Sequence, residues 1–295
     1  MNKPAFFDVY RAEIDTALSR FLDQTSTSDA RLTNAMRYSL LLGGKRIRPM
    51  LCLATAKALG TDSNKALHAA CSLEFIHAYS LVHDDLPAMD DDALRRGQAT
   101  CHIAFDEATA ILTGDALQTS AFHLLTLDDF QQSDSVKLAL VAELAQASGG
   151  RGMVLGQAID LSAVGNLLSL EDLEHMHQHK TGKLIESAVV MGALCGSANT
   201  TSVDALKKYA KALGLAFQVQ DDILDVTGDT QTIGKSAGAD KALNKPTYVS
   251  LLGLGGAQDK LASLYETCLS CLEDLTDSDT SELKAIAQYV IEREH

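Results

Sequence analysis

Residues 71–92 read CSLEFIHAYSLVHDDLPAMDDD, an apolar run followed at once by five aspartates. Apolar side chains recur in this run at spacings of three and four, which predicts a helix suited to a protein core. The aspartates are Asp84, Asp85, Asp90, Asp91 and Asp92. Two carboxylates about 5 Å apart repel by roughly 3 kcal/mol at an effective dielectric constant of about 20. Some other interaction should therefore offset this repulsion.

The same spacing continues through almost all of the 295-residue chain, and no long stretch alternates with the period of two that strands show. Ala and Leu are abundant and Pro is rare, which favours helices. No linker or shift of composition divides the chain. We expect an all-α fold in which residues 1–295 form a single domain, one large helical bundle. The predicted helices span residues 5–23, 28–42, 47–60, 63–85, 91–96, 104–126, 134–149, 152–160, 170–197, 202–227, 241–254, 256–275 and 280–292.

The net charge and the cysteines exclude some classes of function and indicate the cellular compartment. A charge of −14 argues against binding nucleic acid, which calls for a basic face. Acidic residues interrupt the amino-terminal pattern, unlike a signal peptide, and no run reaches the roughly 18 apolar residues of a membrane span. The six cysteines lie mostly within helical patterns, so we interpret Cys268 and Cys271 as packing residues. Reduced thiols in a cytoplasmic protein are expected.

A second acidic cluster, QDDILD, follows another amphipathic helix. Its Asp221 and Asp225 are four residues apart and share one helical face. Asp84 and Asp90 are six apart, which a regular helix would turn away from each other, but Pro87 should bend the chain and let Asp90 return under Asp84. Acidic residues at a helix end can also be merely solvated. Two such clusters instead favour a hard cation with oxygen ligands, such as Mg²⁺, that also binds phosphate.

Phosphate requires cationic partners, and the chain supplies them beside both clusters. GGKRIRP at 43–49 starts a predicted helix, where backbone N–H groups also favour anions. It lacks the spacing of a P-loop and is a weak signal on its own. The candidate cations are Lys45, Arg46, Arg48, Arg95, Arg96, Lys180, Lys235 and Lys245.

These motifs resemble those of the trans-isoprenyl diphosphate synthases, and within that family the bacterial enzymes that make farnesyl diphosphate. The resemblance spans nearly the whole chain, in the family's order. The matching stretches are GGKRIRP, EFIHAYSLVHDDLPAMDDDALRRG, HKTGKL, FQVQDDILD and GKSAGADKALNKPTY. It implies an isoprenoid synthase-like helical bundle around a deep central cavity, a homodimer, and three Mg²⁺ ions, with Mn²⁺ as an alternative.

The implied reaction joins isopentenyl diphosphate head to tail to dimethylallyl diphosphate and then to geranyl diphosphate, giving (2E,6E)-farnesyl diphosphate. The allylic diphosphate ionises, the double bond of isopentenyl diphosphate attacks the carbocation, and a proton is lost. By resemblance, the metal ligands are Asp84, Asp90 and Asp221. The cations that help to hold the allylic diphosphate are Arg95, Lys180 and Lys235. The positions that match the site for the diphosphate of isopentenyl diphosphate are Lys45, Arg48, His77 and Arg96.

Other matches concern the carbocation and the metal-bound water. Thr181 and Gln218 match residues whose oxygens face the carbocation, and the departing diphosphate takes the proton, so no side-chain base is required. Asp85 belongs to the same catalytic set. Direct and water-mediated contact with the metal are both open for Asp85, Asp91, Asp92, Asp222 and Asp225.

Product length should follow from the shape of the cavity. Tyr79 and Ser80 lie about one helical turn before Asp84, where a growing hydrocarbon must pass. We interpret Tyr79 as the floor of that cavity. In related bacterial enzymes an aromatic residue there, together with a two-residue Leu-Pro insertion in the first aspartate motif, goes with a fifteen-carbon product.

Several alternatives stay open. A different cavity would make the chain a geranylgeranyl or geranyl diphosphate synthase. A terpene cyclase shares the bundle but should carry an NSE-type second motif and no second diphosphate site. A catalytically silent regulatory subunit should have lost aspartates or arginines, whereas both clusters are complete. The final IEREH offers Arg293 and His295 where family members often have a basic tail that covers the isopentenyl site.

Overall fold

The computed structural model describes residues 3–25, 27–163, 165, 168–196, 200–228 and 246–293. Helices dominate these ranges, so the predicted all-α fold class is confirmed. In chain order the α-helices are α1 (Ala5–Thr25), α2 (Ala30–Leu41), α3 (Ile47–Ala58), α4 (Leu67–Asp84), α5 (Cys101–Ala104), α6 (Glu107–Leu124), α7 (Asp134–Ser148), α8 (Met153–Ala163), α9 (Leu170–His177), α10 (Lys183–Cys195), α11 (Thr200–Thr227), α12 (Tyr248–Glu273) and α13 (Ser281–Glu292). Shorter elements are a 3₁₀ turn at Ser63–Ala66, strands β1 (Leu94–Arg95) and β2 (Gln98–Ala99), and a π-helical turn at Gln178–Gly182.

Helix α4 is central because apolar residues cover almost its whole surface. Its buried residues run from Leu67 to Val82, and a helix that is apolar on all sides needs other helices around it. Helices α1, α2, α3, α6 and α10 pack against α4. The last turn of α4, which carries Asp84, therefore leaves the core at a fixed place.

The carboxyl-terminal helices extend the same core. Helix α10 packs against α3, α7 and α11, and α11 packs along α12 and α13. One cluster of buried apolar residues runs from Phe7 in α1 to Val290 in α13. A smaller cluster around Tyr248 includes Val219 and Ile223 of α11. Apolar burial is the main stabilising term in such cores, so this smaller cluster holds the part of α11 that carries Asp221.

The helix predicted at 91–96 is wrong. Residues Leu94–Arg95 and Gln98–Ala99 form an antiparallel hairpin, with Leu94 opposite Ala99. The two residues between the strands, Arg96 and Gly97, both have positive φ values, 54° and 75°. Two consecutive residues of this kind match the tight hairpin turn of type I′, which a glycine at the second position favours.

Two other helix boundaries differ from the prediction. The helix predicted at 170–197 is interrupted by the π-helical turn at Gln178–Gly182. In the predicted helix at 241–254, residues 241–245 lie outside the described ranges, and α12 begins at Tyr248 behind a capping box made by Thr247 and Ser250. The non-helical residue inside α12 is Gly253, with φ 71°, which glycine adopts at little cost.

Candidate active site

The first aspartate motif folds back on itself after α4 ends. The backbone N–H of Asp90 donates to the carbonyl of Asp84 at 2.9 Å, and the N–H of Asp91 donates to the carbonyl of Leu86 at 3.2 Å. Asp91 has a φ of 53°, in the left-handed region that Asp tolerates better than most residues. The return of Asp90 under Asp84, predicted from Pro87, is confirmed.

This arrangement concentrates negative charge at Asp84. Burial raises the pKa of the Asp84 carboxyl, Lys180 opposes that rise, and Asp90 adds to it. Gln157 of α8 donates its amide Nε2 to Asp84 Oδ1 at 2.7 Å. A half-buried carboxylate beside a second one is stabilised by a divalent cation, so the Asp84–Asp90 pair fits a hard metal ion.

Lys180 stands beside this acidic pair. Its Nζ lies 2.6 Å from Asp160 Oδ2 and 3.8 Å from Asp84 Oδ2. Burial lowers the pKa of Lys180, but Asp84 and Asp160 outweigh it, so the net shift is upward. Lys180 is therefore held in its charged form at the acidic end of α4.

Neither Gln157 nor Asp160 was found by reasoning from the sequence. Both lie in the stretch GQAID of α8, three residues apart, so they share one helical face. That spacing of an amide and a carboxylate was the available signal. It became meaningful only once the fold placed α8 beside Lys180.

The π-helical turn that carries Lys180 and Thr181 is held between two helices at very short range. A Cβ atom on Gly156 of α8 would lie 2.0 Å from the backbone nitrogen of Lys180. A Cβ atom on Gly214 of α11 would lie 3.0 Å from Gly182 Cα. Single π-helical turns inside α-helices are often found at functional sites. Thr181 is buried within this turn.

Arg95 is engaged by Asp85 on the far side of the motif. Arg95 Nε lies 2.8 Å from Asp85 Oδ1 and 2.9 Å from Oδ2, and its Nη2 lies 3.7 Å from Asp92 Oδ2. Asp85 is buried, whereas Asp91 is exposed. Asp85 therefore contacts and orients Arg95.

A second group of cationic side chains lies around Lys45. Burial lowers the pKa of Lys45 to about 8, and Arg293 and Arg96 add to the shift while Asp221 opposes it. Burial also lowers the pKa of Arg48, whose Nε is buried without a hydrogen bond to any described residue. Like charges held together at partial burial favour an anion between them.

His77 belongs to the same group. Burial and the nearby Arg48 and Arg96 lower the pKa of His77 well below its usual value, so the imidazole is neutral. The guanidinium of Arg96 donates to the carbonyl of Gly43, which fixes the hairpin turn against the GGKRIRP segment.

Arg46, by contrast, points into the core. Its Nε lies 2.9 Å from Asp15 Oδ1 and its Nη1 lies 2.6 Å from Glu74 Oε1, and its Nη2 donates to the carbonyl of Leu40 at 3.0 Å. Arg46 is therefore held in the core by two carboxylates and a backbone carbonyl.

The second aspartate motif has its own partners on α11. Asp221 Oδ1 lies 2.6 Å from Arg293 Nη2. Asp222 is buried and accepts a hydrogen bond from the backbone N–H of Tyr248 at 2.7 Å, so it anchors the start of α12. Gln218 Nε2 lies 3.2 Å from His177 Nδ1. Asp225 is half-buried, one turn beyond Asp221.

Tyr79 and Ser80 lie on α4 above the acidic end. Tyr79 is 5% exposed, and its ring meets the edge of the His83 ring with centroids 5.8 Å apart. Ser80 Oγ donates to the carbonyl of His77 at 2.8 Å. Tyr79 thus places a bulky, buried ring about one turn before the acidic end of α4.

Lys235, like Lys245, lies outside the described residues. Among the residues that are described, no three His, Cys, Asp or Glu side chains come close enough together to form a ready metal site. The acidic pair at Asp84 fits a divalent ion, while Asp221 is paired with Arg293 instead.

We also find no helix, within the same ranges, with the length and apolar content to cross a bilayer.

A helical bundle that carries an acidic pair at the end of one helix and a separate group of cationic side chains is typical of the helical prenyl diphosphate synthases. The chain belongs to the polyprenyl synthetase family, whose family model matches residues 29–289. It is 48% identical over 297 residues to the farnesyl diphosphate synthase of Escherichia coli, with 99% of each chain covered.

Two further relatives show the range of the family. The chain is 42% identical over 297 residues to a chloroplastic geranylgeranyl pyrophosphate synthase of Capsicum annuum, covering 100% of this chain and 80% of that protein. A solved apo structure of an FPP/GFPP synthase from Zymomonas mobilis superposes with a TM-score of 0.85 at 38% identity, covering 96% of this chain and 98% of that one. The predicted family is confirmed.

Proposed function

We propose that this chain is a farnesyl diphosphate synthase, a trans-prenyltransferase that condenses isopentenyl diphosphate with dimethylallyl and geranyl diphosphate. Bacterial farnesyl diphosphate synthases at 47–50% identity over nearly the full length support this activity. The proposal depends on one observation. The backbone N–H of Asp90 donates to the carbonyl of Asp84 at 2.9 Å, which brings the two aspartates together beside the charged Lys180.

The allylic diphosphate is held at this acidic end. Asp84, Asp90 and Asp221 would hold Mg²⁺, with three ions in the full site. When bound, Mg²⁺ would neutralise charge on the diphosphate and make it a better leaving group. Lys180 and Arg95, oriented by Asp160 and Asp85, bind its oxygens, and Lys235 completes this set.

Isopentenyl diphosphate binds at the cationic group around Lys45. Lys45, Arg48 and Arg96 bind its diphosphate by charge, and the buried Nε of Arg48 gains a hydrogen-bond acceptor. Neutral His77 donates an N–H without adding charge. Fixing both diphosphates turns the encounter of two substrates into a nearly intramolecular step.

The carbocation forms between the two diphosphates. Thr181 and Gln218 face it with their oxygens, which stabilises positive charge in a cavity that excludes water. The departing diphosphate accepts the proton at the end, so this chain supplies no general base. Tyr79, with Ser80 beside it, closes the cavity behind the growing tail and sets a fifteen-carbon product.

We further propose that residues 1–295 form one domain and that the enzyme is a cytoplasmic homodimer. The single domain is supported by a sequence in which no linker or change of composition was found, the cytoplasmic location by the cysteines, and the dimer by the family resemblance. Size-exclusion chromatography with light scattering distinguishes a dimer of this 31.5 kDa chain from a monomer.

The direct test is to incubate purified protein with Mg²⁺, isopentenyl diphosphate and either dimethylallyl or geranyl diphosphate, and to measure product length by mass spectrometry. We expect farnesyl diphosphate from both starters and none after chelation of Mg²⁺. Geranylgeranyl or geranyl diphosphate as the main product would replace the fifteen-carbon assignment. Hydrocarbons from a single diphosphate would indicate a terpene cyclase, and no product at all a silent subunit.

A further inference from the structure

His177, the last residue of α9, lies next to Gln218 in the interior. It is 8% exposed, and its Nδ1 lies 3.2 Å from Gln218 Nε2. Its other ring nitrogen, Nε2, is buried without a hydrogen bond to any described residue. The contact with Gln218 is therefore the one directional contact of the imidazole within the described part of the chain.

The plane of the His177 ring is fixed from the other side. The ring stacks on Tyr248 with centroids 5.7 Å apart and an angle of 15° between the planes. Tyr248 is itself held by its backbone N–H, which donates to Asp222 at 2.7 Å. The residue next to Asp221 thus fixes Tyr248, and Tyr248 fixes the ring of His177.

The hydrogen bond has a direction. With the Gln218 amide oriented as in this structure, its Nε2 donates and Nδ1 of His177 is the unprotonated acceptor, which is the tautomer that the NMR measurement below tests. Burial lowers the pKa of His177 to about 4, with Asp160 opposing the shift and Lys180 adding to it, which keeps the ring neutral. His177 thus carries its proton on Nε2.

An amide has a donor end and an acceptor end. Because His177 takes the donor end of Gln218, the carbonyl Oε1 is turned away from His177. Gln218 and Asp221 are three residues apart on α11 and share a helical face. A free amide could instead rotate by half a turn and present its NH₂ group, which would destabilise a nearby cation.

We propose that His177 is a positioning residue that holds the Gln218 amide with its Oε1 towards the reacting carbocation. The proposal rests on the proposed function, because it gives Gln218 its role there. His177 itself does not touch the substrate. Its contribution is preorganisation, since the oxygen needs no reorientation when the charge forms.

Two substitutions distinguish the effect of the hydrogen-bond acceptor of His177 from the effect of its flat ring. H177F keeps a flat ring against Tyr248 and removes the acceptor, whereas H177N places an amide oxygen near the position of Nδ1. For a lost positioning hydrogen bond we expect H177F to lower kcat by about tenfold, with the KM of each substrate within about twofold of wild type. H177N should recover most of kcat. An H177N variant as slow as H177F would overturn the proposal.

A double-mutant cycle with Q218L tests whether His177 acts through Gln218. In the Q218L background H177F should have no further effect on kcat, because the group that it positions is gone. Losses that multiply would assign His177 a role independent of Gln218 and overturn the proposal.

One measurement is independent of catalysis. In wild-type protein labelled with ¹⁵N-histidine, NMR should show His177 with an unprotonated Nδ1 and a protonated Nε2, and this pattern should change in Q218L. A protonated Nδ1 would overturn the proposal even in an active enzyme. An inactive wild-type protein with the expected tautomer would instead contradict the proposed function. Circular dichroism verifies that each variant is folded. If H177F does not fold, the NMR spectrum of the wild-type protein still tests the proposal.

Discussion

The guanidinium of Arg293 lies 2.6 Å from the Asp221 carboxylate and 4.0 Å from the centroid of the Phe217 ring. It also donates to the carbonyl of Phe217 at 2.9 Å, and Gln220 donates to the carbonyl of Arg293 at 2.8 Å. The end of α13 is thus fastened to the second aspartate motif. Reasoning from the sequence had left the role of this tail open, and the structure places Arg293 in the site, beside Lys45.

Replacing Arg293 with alanine removes the cation that now occupies Asp221. Mg²⁺ would then meet no internal competitor, so we expect the Mg²⁺ concentration for half-maximal thermal stabilisation, measured with inorganic diphosphate present, to fall by roughly threefold. The metal-free protein should lose about 1–2 kcal/mol of unfolding free energy with the hydrogen bond and the ring contact. R293K is the control, since it keeps the charge but not the planar fork. An unchanged Mg²⁺ dependence would show that Arg293 and the metal do not compete.

Asp90 and Asp91 are neighbours with different expected roles. D90N should lower kcat by roughly 100-fold or more and raise the Mg²⁺ requirement, because it removes a proposed metal ligand. D91N is the matched control, because asparagine also tolerates the left-handed backbone at this exposed position. We expect its kcat to stay within about threefold of wild type, as the side chain points to solvent. Equal losses in steady-state assays would contradict this division.

Lys45 should give the enzyme a pH dependence. Burial lowers the pKa of Lys45 from 10.5 to about 8, and only the protonated amine attracts diphosphate. Above that pKa, kcat/KM for isopentenyl diphosphate should fall by about tenfold per pH unit, whereas K45R should stay flat because arginine remains charged.

Stability should move in the opposite direction over the same range. Between pH 8 and the ordinary pKa of lysine the unfolded chain binds more protons than the folded one, so the free energy of unfolding contributed by Lys45 rises with pH. Comparing urea unfolding of wild type and K45R at pH 7 and 9.5 separates this effect from the rest of the protein. A pH-independent kcat/KM in wild type would remove Lys45 from the diphosphate site.

Tyr79 should set the product length. Replacing Tyr79 with alanine opens space in the face of α4, and we expect products of twenty carbons or more by mass spectrometry. Y79F keeps the ring and should still give the fifteen-carbon product, which distinguishes volume from the hydroxyl group. An unchanged product distribution in Y79A would refute the interpretation of Tyr79 as the floor.

Structural features that depend on residues close together in the sequence were predictable. The three- and four-residue spacing identified most helices, since a buried stripe repeats with the helical period whatever the partner. The return of Asp90 under Asp84 could be predicted from Pro87, because proline disturbs the helical turn in which it lies. The same local rules misassigned residues 91–96, where Gly97 allows a tight turn and Arg96 is held by the carbonyl of Gly43.

Contacts between distant residues were not predictable. The pairing of Lys180 with Asp160, of Gln157 with Asp84 and of Arg293 with Asp221 joins segments separated by 20, 73 and 72 positions. Nothing in the spacing of a single helix selects a partner on another one. The π-helical turn could not be predicted for the same reason, because its extra residue is accommodated by two helices, α8 and α11, that are distant in sequence or come later in the chain.

Gly156 and Gly214 leave no slack around the turn that carries Lys180. A diphosphate bound to that ammonium group, as proposed above, would act on a turn that both neighbouring helices already touch. Because close-packed elements transmit small displacements, α8 and α11 would respond together, and these helices also bear Gln157 and Asp221.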